Sequence, residues 1–184
     1  MKLIGIGGST ASGKTALARK LIEHFSAVTN RYSHLLSDIA VSYNIPTDKV
    51  SLQELSTKMR TEQGEDAIAL LMNEWIRTQT NEVIVIEGMR RLVDIVSLEA
   101  IAKETNRDWV FLFIDAPTEI RLERYNERLV KDGHAPISND EFYALDSHEA
   151  EAELPLIRAK SLHILHNSNK TLDELLAEAL VQCQ

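Results

Sequence analysis

The sequence predicts an α/β fold, a parallel sheet layered with helices in a single domain over residues 1–184. Three observations predict it. Short, continuous apolar runs recur along the chain in place of long alternating ones, as strands buried on both faces of a parallel sheet do. Stretches with helical spacing separate those runs, so strand and helix alternate and imply crossover units. The composition is that of an ordinary globular protein, with 184 residues, 44% hydrophobic and 26% charged, enough for one sizeable core. No internal repeat, low-complexity tract or Gly/Ser linker breaks the chain.

In chain order, Lys2–Gly7 is the first strand, and a helical pattern follows from near Lys14. Ser33–Ser37 is a weaker apolar run and is assigned as the second strand. Ile68, Leu71, Met72, Trp75 and Ile76 fall at the spacing of one helix face. Glu82–Glu87 and Asp108–Asp115 are the clearest strands. Pro117 suits the opening of a helix over Thr118–Lys131. Residues 132–153 are polar and acidic, either a solvated loop leading to a surface helix or a mobile flap over a site. Ser161–His166 is the last strand, and Thr171-Leu-Asp-Glu174 forms a capping box that opens the final helix.

Several function classes recede on composition alone. No apolar run exceeds six residues, far short of the roughly 20 that cross a bilayer. The N-terminus carries no signal-peptide pattern, and the single cysteine, Cys183, forms no internal disulfide or thiolate cluster. Both point to a cytoplasmic protein. A net charge of −8 argues against non-specific nucleic-acid binding. The six histidines make no metal signature: His163 and His166 point to opposite faces of a strand, and His148-Glu149 lacks a second histidine.

The most specific feature is Gly8-Ser9-Thr10-Ala11-Ser12-Gly13-Lys14-Thr15, which fits G-x-x-x-x-G-K-[ST] between a strand and a helix. Glycine lets backbone N–H groups converge on an anion without a Cβ in the way. The helix that follows, with Ala16 in its first turn, adds the partial positive charge of its N-terminus. Lys14 reaches the β- and γ-phosphates of a triphosphate, and the Thr15 hydroxyl ligates Mg²⁺. The pattern therefore implies ATP and Mg²⁺ as cofactors and says nothing of the phosphate's destination.

Other residues bear on the destination. Glu87 ends a hydrophobic strand, where a P-loop protein keeps a carboxylate on the metal side. Arg90 and Arg91 follow it at the carboxyl edge of the sheet, and guanidinium forks suit phosphate oxygens. Arg60 is a further candidate for an acceptor phosphate. Arg121, Arg124 and Arg128 share a helix face, either as lid contacts to phosphate or as a solvated face paired with Glu127 and Asp132. Asp38 either takes the proton of an acceptor hydroxyl, contacts a nucleoside, or caps the next helix.

Together these residues resemble the nucleoside-monophosphate kinase group of P-loop proteins, to which adenylate kinase and dephospho-CoA kinase belong. Glu87-Gly88-Met89-Arg90-Arg91 is similar to the adenylate-kinase pattern Asp-Gly-Phe-Pro-Arg, which implies Glu87 as the metal-side acid and Arg91 as an acceptor-phosphate arginine. Ser37-Asp38-Ile39-Ala40 is similar to the dephospho-CoA kinase segment whose aspartate serves the acceptor hydroxyl. Closer still is a dephospho-CoA-kinase-like nucleotide kinase family, with Leu-Arg-x-x-x-Gly matched by Met59–Gly64 and Asp-Gly-Ile-Arg matched by Glu87–Arg90, which favours Arg90. Two positions depart from these patterns: Glu87 replaces an aspartate, and Leu145-Asp146 replaces an Arg-Asp pair. The resemblance covers residues 1–181 and implies a three-layer α/β/α P-loop kinase with a five-stranded parallel sheet, an acceptor-binding helical region over 38–80 and a lid over about 124–150.

The expectation is an Mg²⁺-dependent ATP phosphotransferase acting on a small nucleotide-type acceptor, without nucleic-acid or membrane partners. The oligomeric state is left open. Arg60 and Arg90 or Arg91 favour a monophosphate acceptor; Asp38 favours a hydroxyl. The rivals are an ATP-binding or ATPase regulatory module and a kinase fold that only binds nucleotide. A GTP switch is disfavoured, because Asn169-Lys170-Thr171-Leu172-Asp173 sets its aspartate one position late for Asn-Lys-x-Asp.

Overall fold

The computed structural model of the chain describes residues 1–147 and 152–184. Its five strands are β1 (Lys2–Gly8), β2 (Val28–Arg31), β3 (Val83–Glu87), β4 (Asp108–Asp115) and β5 (His163–His166). They form one all-parallel sheet in the order β2-β3-β1-β4-β5. The helices described are α1 (Lys14–Phe25), α2 (Tyr32–Ser42), α3 (Lys49–Gln63), α4 (Ala67–Thr78), α5 (Leu92–Glu104), α6 (Thr118–Lys131), α7 (Asn139–Asp146), α8 (Leu154–Lys160) and α9 (Leu172–Gln182). No helix among the described residues is long and apolar enough to cross a membrane.

Alternation along the strands divides the core into two layers. Leu3, Ile84, Ile86, Phe111 and Phe113 face α4, α5 and α8. Ile4, Ile6, Val85, Leu112 and Ile114 face α1 and α9. The first face is bare at Gly5 and Gly7, and aromatic rings fill the space. A Cβ on Gly5 would lie 2.5 Å from the Trp109 ring, and one on Gly7 2.9 Å from the Phe111 ring. The glycine-rich opening of the chain thus serves two purposes, packing in β1 and backbone freedom in the loop beyond it. A third, smaller cluster of Ala40, Leu55 and Met59, with Ile39 and Leu71 against it, joins α2, α3 and α4.

The assigned second strand is corrected. Ser33–Ser37 lies inside α2, and the strand is Val28–Arg31. Tyr32, Leu35, Leu36, Ile39 and Ala40 recur at helical spacing, and that face packs inward. The true β2, Val-Thr-Asn-Arg, is an edge strand of mixed polarity with none of its residues fully buried. The helix from Thr118 to Lys131, the α4 face and the Thr171–Glu174 capping box all form as expected. Within 132–153, α7 opens with a Ser138–Glu141 capping box and buries Phe142.

Candidate functional site

The carboxyl ends of the strands place the candidate residues. β1 runs into the loop, and α1 leaves it without any side-chain cap. The first amides of an uncapped helix need partners, and an anion supplies them. Gly8 (φ 140°) and Gly13 (φ 107°) take backbone angles that suit glycine. A Cβ on Gly8 would strike the Ile114 carbonyl, and one on Gly13 would strike Asn167 Nδ2. Ala11 also takes a left-handed angle, φ 60°. Ser12 N–H donates to the Ser9 carbonyl at 3.2 Å. Lys14 Nζ folds back over the loop to the same carbonyl, at 2.6 Å.

Glu87 ends β3 beside the loop strand and is only 4% exposed. Its carboxylate meets Arg31, its register partner across the β2–β3 ladder. Arg31 Nη2 donates to Glu87 Oε2 at 3.3 Å and to Thr15 Oγ1 at 3.1 Å. A hydroxyl and a buried carboxylate therefore converge on one positive nitrogen, and hard oxygen donors so arranged fit a cation such as Mg²⁺. No group of three or more His, Cys, Asp or Glu side chains converges among the described residues. A nucleotide-bound metal needs none, since phosphates and waters complete its shell.

A second cluster forms where β3 turns into α5. Asp94 Oδ2 accepts the backbone N–H of Arg90 at 2.9 Å and of Arg91 at 3.0 Å. Burial pushes the Asp94 carboxyl above its ordinary value, against the lowering by those two N–H groups and by Arg60. Glu153, just before α8, takes Arg91 Nη1 at 2.9 Å and the Leu92 N–H at 2.7 Å. Burial raises the Glu153 carboxyl, but Leu92 N–H, Arg91 and Arg60 outweigh it and the net shift is downward. Arg60 bonds Ser56 at 2.5 Å through Nη1. Its Nε and the buried Tyr32 hydroxyl have no hydrogen-bond partner among the described residues. Burial, then Asp94, raise the Tyr32 phenol well above its usual value. Arg60 and Arg91 thus surround the same two carboxylates, with the Arg90 backbone joined to one of them.

Asp38 does not join either cluster. It follows no strand and caps no helix, because it sits within α2. It is exposed, six residues past Tyr32, about 9 Å along the axis. There it lines a groove of about 320 Å³ with Leu35, Ile39, Leu71, Glu74, Trp75 and Thr78.

The arginines of α6 divide. Arg121 is 5% exposed. It donates to the Ala116 carbonyl at 3.1 Å, to the Thr10 carbonyl of the loop at 3.3 Å and, through two nitrogens, to Asp146 of α7. Its guanidinium also lies over the Phe142 ring, 5.4 Å from the centroid. Arg124 donates to the Asn167 carbonyl at 3.1 Å. Arg128 is exposed and rests on the Tyr125 ring at 5.0 Å. Asp146, at one of the two departures noted in the sequence, is the carboxylate that binds Arg121. His148, Glu149 and the end of the expected lid, 148–150, lie outside the described residues.

Two residues escaped the sequence. Arg31 was hidden by the misplaced second strand; with β2 ending at Arg31, register alone puts it beside Glu87. Asn167 follows β5, where loops at the carboxyl edge of such sheets meet ligands, but it belongs to no motif. Its Nδ2 donates to the Ser12 carbonyl at 2.8 Å, and its N–H donates to the Asp115 carbonyl at 2.7 Å. Between the loop and α6 a cleft of about 460 Å³ opens, lined by Ser9, Asp115, Pro117, Thr118, Arg121 and His166 among others.

No family model matches the chain. A UPF0200 protein of Methanosarcina barkeri is 29% identical over 128 residues, 70% of this chain and 67% of that protein. A UPF0200 protein of Methanococcus maripaludis is 27% identical over 164 residues, 88% of this chain and 84% of that one. Among solved structures, a gluconokinase from Sinorhizobium meliloti superposes with a TM-score of 0.60 at 15% identity, covering 98% of this chain and 90% of that one. A shikimate kinase from Bacteroides thetaiotaomicron superposes with a TM-score of 0.56 at 13% identity, covering 98% and 96%. The chain has the three-layer α/β/α fold of P-loop kinases. The likeness supports that fold and not the dephospho-CoA kinase family in particular.

Proposed function

We propose that the protein is a small-molecule kinase that transfers the γ-phosphoryl group of ATP to an anionic, nucleotide-type acceptor, with Mg²⁺ held by Thr15 and, directly or through water, by Glu87. The observation that carries this reading is the convergence of Thr15 Oγ1 and the Glu87 carboxylate on a single cationic nitrogen at the mouth of the glycine loop. Mg²⁺ there would neutralise charge on the phosphates.

The chain's own residues do the rest. The loop amides from Gly8 to Ala16 bind the phosphates, and Lys14 leaves the Ser9 carbonyl to neutralise charge that develops on them. The cleft beside Ser9 and Pro117 has room for the nucleoside end. Arg124 and Arg128, on the helix that leads to α7, are the lid arginines, with the lid over about 124–150. The α2–α4 region, 38–80, carries Arg60 and forms the acceptor side with Arg90 and Arg91. The seat made by Arg91 and the Leu92 N–H already holds a carboxylate, Glu153, so an anionic acceptor group suits it. A phosphate acceptor arrives ionised and needs no base. A hydroxyl acceptor requires one, and Glu87 is then nearer the loop than Asp38. That second possibility is favoured by the fold's likeness to a gluconokinase and a shikimate kinase.

The test is turnover with Mg²⁺ and ATP against nucleoside monophosphates, nucleosides, dephospho-CoA and small hydroxy acids. Phosphorylation of one class, abolished by Lys14→Ala in a folded protein, is the expected outcome. ATP hydrolysis without transfer to any acceptor would favour the regulatory-module alternative, and activity surviving Lys14→Ala would overturn the mechanism.

A further inference from the structure

Arg31 ends β2 level with Glu87 on the neighbouring strand. The strands are parallel, so both side chains leave the sheet at its carboxyl edge, where α1 begins with Lys14 and Thr15. Nη2 of Arg31 lies 3.1 Å from Thr15 Oγ1 and 3.3 Å from Glu87 Oε2. These are the two oxygens that the proposed function gives to a divalent cation. An acidic side chain that is only 6% exposed demands a counter-charge. Arg31, with its side chain one-third exposed, supplies it from the neighbouring strand.

We infer that Arg31 is the resident counter-ion of the metal seat, and that a divalent cation reaches Thr15 and Glu87 only by displacing its guanidinium. The inference rests on the assignment of that seat to a metal. A doubly charged ion and a guanidinium held about 4 Å apart repel by more than thermal energy even in water. The two therefore exclude each other at Glu87. Without nucleotide, the displaced guanidinium loses its carboxylate and gains no new anion, so the bare metal binds weakly. Phosphate oxygens change both sides of that exchange, because they ligate the metal and offer the freed fork a partner. Metal and nucleotide then enter together, with Arg31 opposing the metal alone.

The experiment measures Mn²⁺ binding by electron paramagnetic resonance in the nucleotide-free protein. Arg31→Gln removes a charge-assisted bond to Glu87, so its Mn²⁺ affinity is expected to rise by about tenfold or more over wild type. Arg31→Lys keeps the positive charge and should stay within a few-fold of wild type. In Arg31→Gln the melting temperature should climb on Mg²⁺ addition while wild type barely responds. Adding Glu87→Gln to Arg31→Gln should abolish the gain. Equal Mn²⁺ affinity in wild type and Arg31→Gln, or a gain that survives Glu87→Gln, would overturn the inference. Should Arg31→Gln fail to fold, arginine-¹⁵N-labelled wild type decides: the Arg31 guanidinium signal must change as Mg²⁺ saturates the protein, and an unmoved signal refutes displacement. None of these readouts uses turnover. A chain that binds metal as described but phosphorylates nothing would refute the kinase proposal alone, and a chain that phosphorylates an acceptor with unaltered Mn²⁺ binding would refute this one alone.

Discussion

Asn167 gives the sharpest test of how the glycine loop is held. It is 6% exposed and its Nδ2 donates to the Ser12 carbonyl at 2.8 Å. Asn167→Ala removes that bond and leaves the carbonyl of the fully buried Ser12 without its side-chain partner. The penalty for an unsatisfied buried acceptor is about 1–3 kcal/mol, and about 2 kcal/mol is the expected loss. The main-chain links of Asn167 to Asp115 and Arg124 survive the change, because they use its backbone N–H and carbonyl. For a chain of this length, about 2 kcal/mol lowers the melting temperature by about 4–8 °C. Asn167→Asp is expected to cost more, since it sets a carboxylate against a carbonyl. Urea unfolding with linear extrapolation reads the stability, and a fluorescent ATP analogue reads the loop. Both should weaken together. Stability within about 0.5 kcal/mol of wild type, with unchanged nucleotide affinity, would refute the role given to this side chain.

Two other outcomes follow from buried titratable groups. A carboxyl raised above its ordinary pKa, as Asp94 is by burial, binds more protons in the native than in the unfolded state; its contribution to stability is therefore lost as pH climbs from the usual carboxylate range through the folded value. Asp94→Asn keeps an acceptor oxygen for the Arg90 and Arg91 N–H groups and removes the charge, so the variant should gain on wild type as pH rises above the usual carboxylate range, and parallel urea profiles would contradict this. Burial pushes the Cys183 thiol up to about 11, with Lys2 opposing, and only 3% of the residue is exposed. Reaction with a disulfide reagent near pH 8 should be orders of magnitude slower in the folded protein than in urea, and equal rates would show that the thiol is not enclosed.

Most of the sheet was legible because its inner strands are continuous apolar runs: β1, β3 and β4 lie within a residue of their expected bounds. The loop was legible because its spacing is dictated by the anion it wraps. The outer strand β2 was not, since an edge strand of four residues needs only Val28 against the core and leaves no pattern. The nearby Leu35-Leu36 pair looked like the better strand until Tyr32, Ile39 and Ala40 are counted at helical spacing. That slip carried Asp38 to a strand end it does not occupy and concealed Arg31, which does. The grouping of Arg60, Arg91, Asp94 and Glu153 was half legible: the arginines stood out, while the carboxylates among them depend on α5 and α8 meeting in space. Asn167 was beyond reach, because its role exists only once the β5 loop packs on Gly13.

The buried Arg121 ties together two parts of the chain that are far apart in sequence. One guanidinium is shared by the Thr10 carbonyl of the loop and the Asp146 carboxylate at the end of α7. Lifting α7 away strips that guanidinium of its counter-charge, and a cation so enclosed then settles harder on its remaining carbonyls or moves to water. Either way the loop feels the change at α7. The seating of α7 and the shape of the glycine loop are therefore coupled through one buried cation, so a change at either is expected to be felt at the other.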